Sequence, residues 1–162
     1  MAAGNTYEAI ATATASGSTN IITFSSIPQT YTDLVLVVKA DGSGQGGYQV
    51  RLNSDSAGNY SATRLIGDGS AATSDRGTNK NNLTTEWGGG SYNMYVTHFM
   101  NYANTTTYKT ALTRITCDFA TAAMVSLWRN TAAVSTITVQ NGNSATNFAS
   151  TATFSLYGIV SA

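Results

Sequence analysis

The chain has 162 residues, eight basic and eight acidic side chains, and a formal net charge of zero. That length fits one domain. The cations, scattered from Lys39 to Arg129, exclude the clustered Lys and Arg that neutralise nucleic-acid phosphates.

Thr and other β-branched residues dominate, Gly is frequent and Leu is scarce, which favours strands over helices. Residues 7–14 alternate and end at Ser16-Gly17-Ser18. Residues 20–24 place Ile22 and Phe24 on one face, and the only proline, Pro28, then breaks the chain. Residues 31–39 form the strongest strand, apolar on both faces as a central strand requires. A loop at 41–47 leads to a strand at 48–54, with Tyr48, Val50 and Leu52 together. Ala57-Gly58-Asn59 turns the chain into a strand at 60–66. Residues 67–90 read as one long irregular loop, rich in Gly, Ser, Thr and Asn and holding Trp87. A loop of that length is functional, disordered or organised by a partner. Strands at 91–100, 108–119, 123–129 and 134–140 follow, with Ile115, Cys117 and Phe119 on one face. Residues 151–160 close the chain. The expected architecture is all-β: one domain over 1–162, an antiparallel β-sandwich of the jelly-roll type with about eight to ten strands.

The core is thin. Large aliphatics and Phe make up slightly under about 20% of residues, while Ser, Thr and Asn fill about a third. A small core calls for an external staple such as oligomerisation. The longest aliphatic run, Leu34-Val35-Leu36-Val37-Val38, is far short of the roughly 20 residues that span a bilayer. The opening Met1-Ala2-Ala3-Gly4-Asn5 lacks the pattern of a signal peptide. No membrane or nucleic-acid partner is expected.

No catalytic constellation stands out. His98 is the only candidate base, and no Gly-x-Ser-x-Gly elbow accompanies it; it reads as a strand or interface histidine. Cys117 lies mid-strand and reads as a small apolar residue. The single Cys and single His exclude an internal disulfide framework, a thiolate zinc cluster and a multi-histidine site. Asp33, Asp41, Asp55, Asp68 and Asp75 sit at strand ends or turns, where Asp is favoured for geometry alone. No cofactor or metal is expected, and no enzyme. The aromatic residues are the candidate interaction surface: Trp87, Tyr92, Tyr95 and Tyr102. Exposed aromatics stack on sugars or anchor protein interfaces.

Three stretches carry a family resemblance: Tyr7-Glu8-Ala9-Ile10-Ala11-Thr12, then Ile22-Thr23-Phe24-Ser25-Ser26-Ile27-Pro28, then Tyr31-Thr32-Asp33-Leu34-Val35-Leu36. They resemble the opening of small structural proteins of tailed bacteriophages, notably cyanophages. Arg51-Leu52-Asn53-Ser54-Asp55 with Asn59-Tyr60-Ser61 looks like their next hairpin, and Phe154-Ser155-Leu156-Tyr157-Gly158-Ile159 like their closing strand. The resemblance implies a virion structural protein, made in the host cytoplasm and ending on the capsid exterior. It implies a homotrimeric capsid decoration (cement) protein that binds the major capsid protein and stabilises the shell. The alternative is a receptor-binding domain of a tail or head fibre recognising host surface glycan; in that case Trp87 would cluster with Tyr92 or Tyr95 at a free tip.

The thin core generates a prediction: the isolated protein is an oligomer at micromolar concentration. Light scattering checks it, and a monomeric mass would count against it.

Overall fold

The computed structural model describes residues 6–41, 47–85 and 92–160. Among these lie twelve strands: β1 Tyr7–Thr14, β2 Ile21–Phe24, β3 Asp33–Asp41, β4 Tyr48–Leu52, β5 Tyr60–Gly67, β6 Ala72–Lys80, β7 Leu83–Thr85, β8 Tyr92–Met100, β9 Lys109–Cys117, β10 Ala120–Trp128, β11 Ile137–Asn141 and β12 Thr153–Ile159. They build two antiparallel sheets. The larger has the order β1-β12-β3-β8-β9-β10-β5-β6, the smaller β2-β11-β4-β7.

The pairing is nested. β1 pairs with β12, β2 with β11, β3 with β8, β4 with β7 and β5 with β6. Successive nested pairs alternate between the two sheets, as when one long hairpin is wrapped around a barrel, which is the jelly-roll arrangement. The β9–β10 hairpin is inserted into the large sheet between β8 and β5. The expected sandwich is therefore observed, with twelve strands rather than eight to ten.

Period-2 alternation decides which residues enter the core. On β9, Ala111, Thr113, Ile115 and Cys117 are buried while Leu112, Arg114 and Thr116 are exposed. Leu34, Leu36 and Val38 of β3 meet Val50, Leu52 and Val139 of the small sheet in one cluster. Phe148 and Phe154 pack edge to face with centroids 4.8 Å apart.

Four sequence expectations need correction. The span 67–90 is not one irregular loop, because it contains β6 and β7. β6 was hidden by its environment: apart from Gly77 and Lys80 its residues are exposed, so no apolar alternation marks it. Phe119 does not share the core face of Ile115 and Cys117. Asp118 and Phe119 form the two-residue turn between the paired Cys117 and Ala120, and Phe119 is 51% exposed. The strand expected at 134–140 begins only at Ile137, because Asn53 takes up the backbone before it. Ser135 N and Thr136 N donate to Asn53 Oδ1 at 2.9 and 3.1 Å, and Asn53 Nδ2 donates to Ala133 O at 2.8 Å. Asn53 and Ser54 have φ of 50° and 58°, which also ends β4 at Leu52 rather than at residue 54.

Asp55 anchors the same turn to the core. The buried Trp128 indole donates to Asp55 Oδ2 at 2.7 Å, Asn59 Nδ2 to the same oxygen at 2.9 Å, and Ala57 N to Oδ1 at 2.9 Å. Tyr60 stacks on Trp128 and donates to Asp55 O at 3.1 Å. Lys109 is buried, with Nζ donating to Thr107 O at 2.8 Å and Thr131 O at 3.1 Å. Burial lowers its pKa, since desolvation disfavours the ammonium.

Two predictions follow from this packing. A Cβ on Gly158 would stand 2.3 Å from the root of the Tyr31 ring. Gly158→Ala should therefore destabilise by about 1–3 kcal/mol. Adding Tyr31→Ala should make the double variant less unstable than the two single costs summed; simple additivity in urea unfolding would refute the clash. For Asp55, partial burial pushes the carboxyl pKa up, but the donors from Asn59, Trp128 and Ala57 together outweigh it and leave the pKa below its usual 3.8. A depressed folded pKa gives stability that is complete above the unfolded value and lost as the pH falls through the folded one. Wild type should lose stability steeply below about pH 4, and Asp55→Asn less steeply. Equal pH slopes for the two proteins would contradict this.

Candidate functional site

The four strands of the small sheet cover only part of one face of the large sheet. The opposite face of the large sheet has no layer over it among the described residues. Alternation and register place its side chains. One row runs Tyr157, Val35, His98, Leu112, Val125 and Thr63 across β12, β3, β8, β9, β10 and β5, and ends at Arg76 of β6. The next row runs Val37, Val96, Arg114, Ala123 and Leu65.

This outer face is unusually apolar for a solvent face. Leu65 is 62% exposed, Val125 52% and Leu112 40%, with Met94 and Met100 also exposed. Isolated exposed apolar residues are ordinary, but a contiguous group marks an interaction surface. Three shallow depressions score the face. One of about 430 Å³ lies between Tyr7, Val96, Leu112 and Arg114. One of about 550 Å³ lies between Leu65, Arg114, Thr116 and Thr121. One of about 300 Å³ lies between Thr63, Arg76, Val125 and Leu127.

The polar groups on the face are few. His98 Nε2 donates to Asp33 Oδ2 at 2.8 Å, and Asn101 N donates to Asp33 Oδ1 at 2.6 Å. The strands place Val35 and Leu112 on either side of His98, and neither offers a nucleophile. The pair thus fixes a polar spot within an apolar row, as an interface histidine would. Among the described residues no group of three or more His, Cys, Asp or Glu is placed to hold a metal ion. No helix is long and apolar enough to cross a membrane.

The aromatic surface expected from sequence is not assembled. Tyr95 points into the core, with its ring 3.8 Å from that of Tyr48, and burial raises its pKa. Tyr102 is also buried and donates its hydroxyl to Pro28 O. Each lies on the inner side of its segment, so neither joins an exposed aromatic surface. Trp87 lies outside the described residues; Tyr92 opens β8, and its side chain lies outside them too. Tyr108, by contrast, is 54% exposed. Cys117 is buried, as expected of a small apolar residue.

The exposed aliphatics are the residues that sequence reasoning missed. Their signal was present on β9: Leu112 falls on the polar alternation with Arg114 and Thr116, opposite Ile115 and Cys117.

No family model matches the chain, and no curated protein matches it. Among solved structures, the crystal structure of Caenorhabditis elegans galectin LEC-6 aligns over 93% of this chain and 96% of its own, at 10% identity and a TM-score of 0.38.

Proposed function

We propose that this chain is a virion structural protein, a homotrimeric decoration protein on the head of a tailed bacteriophage that binds the major capsid protein from outside and stabilises the shell. The observation that carries the reading is the broad, apolar, uncovered face of the eight-stranded sheet, on a chain whose composition already calls for assembly. The physical logic needs neither cofactor nor catalytic group. A trimer on a symmetry axis touches several shell subunits at once, so modest contacts combine as avidity. Binding only the mature arrangement of the shell stabilises that arrangement by mass action. The fibre reading, with host glycan as ligand, would use an aromatic platform; of its four candidate residues Tyr95 and Tyr102 lie in the core, while Trp87 and the Tyr92 side chain lie outside the described residues.

Cryo-electron microscopy of intact virions tests the reading. Density matching this sandwich on head symmetry axes is the expected result; density at fibre tips would move the chain to receptor binding. With only 10% charged residues, long-range attraction is weak, so salt should change binding to isolated shells by no more than a few close ion pairs at the contact allow. A large loss of binding between low and moderate salt would contradict it.

A further inference from the structure

The outer face carries a charge pattern that its own fold does not satisfy. Arg114 and Arg76 are exposed, and neither makes a hydrogen bond or ion pair within the described residues, unlike Arg64, which pairs with Asp75. Arg114 lines two of the three depressions and Arg76 the third. Arg114 thus stands at the edge of hollows lined by Leu65, Val96 and Leu112, and Arg76 at one where Val125 and Leu127 meet Ser and Thr side chains, so each guanidinium offers planar donors beside apolar groups.

We propose that the outer face of the large sheet is the docking surface for a protein partner that is apolar where it meets Leu65, Leu112 and Val125 and carries carboxylates opposite Arg114 and Arg76. This rests on the assembly reading above, and adds to it the face used and the chemistry of the shell surface it meets.

Size permits it. Eight strands about 4.8 Å apart and about 30 Å long offer about 1,000 Å², more than the about 800 Å² each partner gives to a standard interface. Charge selects the occupant. A second copy stacked face to face would bring guanidinium groups without acceptors, since Asp33, the carboxylate on this face among the described side chains, is already taken by His98 and Asn101 N. Nucleic acid needs clustered cations, and Arg114, Arg76 and Lys39, spread from β3 to β6 among aliphatics, do not form a phosphate track. A carboxylate-bearing protein surface satisfies both the guanidinium groups and the hollows between them.

The probe is the empty shell assembled from the major capsid protein encoded in the same genome. Wild type, Arg114→Glu/Arg76→Glu, Leu112→Ser/Val125→Ser and the off-face control Ser56→Glu are compared by co-sedimentation, with circular dichroism and light scattering on each. All altered side chains except that of Ser56 lie on the outer face, away from the core. Wild type and Ser56→Glu should bind alike, and each outer-face pair should bind at least about tenfold more weakly while keeping fold and oligomeric state. Wild-type binding that both outer-face pairs retain would overturn the face assignment and leave the decoration reading intact. No wild-type binding would overturn the decoration reading, and this inference with it. Dissociation of the free oligomer by Arg114→Glu/Arg76→Glu would make the face a self-contact, which also overturns the inference. So would arginine-dependent binding of wild type to phosphatidylglycerol vesicles.

Discussion

The structure is governed by an inequality: eight strands on one side of the sandwich and four on the other. A sheet of four can bury only part of a sheet of eight. The strand that runs past it, β6, lies at one edge of the large sheet and is exposed over nearly its whole length. The core is consequently concentrated under β12, β3 and β8, where Leu34, Leu36, Phe99, Phe154 and Leu156 are fully enclosed. Everything the molecule offers to others follows from what this core leaves over, an edge strand and a wide outer face.

A thin core also explains why the fold relies on polar anchors. Asn53 holds the 133–136 segment with four side-chain hydrogen bonds, and Asp55 joins its turn to Trp128. Lys109 binds two loop carbonyls. Inside a small sandwich such groups fix loops that apolar contacts alone do not reach. A satisfied buried hydrogen bond adds only about 1 kcal/mol net, but leaving either partner unmatched costs more, so the arrangement specifies one loop geometry over its neighbours.

The sandwich was legible in the sequence because most strands carry a buried face, and alternation records burial. β3, apolar on both faces, lies inside the large sheet as expected, and Val35 on its outer side is itself buried. What escaped was whatever burial does not encode. β6 has no buried face to advertise. Phe119 looked like core because the two-residue turn falling one position early cannot be read from composition. Tyr95 and Tyr102 escape because an aromatic side chain suits core and surface alike, and its identity gives no sign of which way it points. The outer face was hidden for a similar reason: Leu112 and Val125 are apolar in strands expected to be apolar, and only the strand order shows that nothing covers them.

Lys109 has one more consequence. The chain has three lysines, Lys39, Lys80 and Lys109. The first is exposed, the second half-buried, and the third enclosed with its ammonium held by two carbonyls. Among the lysines, amine-directed reagents thus find two handles on the native fold, one on the outer face at β3 and one at the end of β6. Acylation at Lys109 records an opening of the β9 end of the sandwich. The same residue that clamps two loops is a built-in reporter of when they let go.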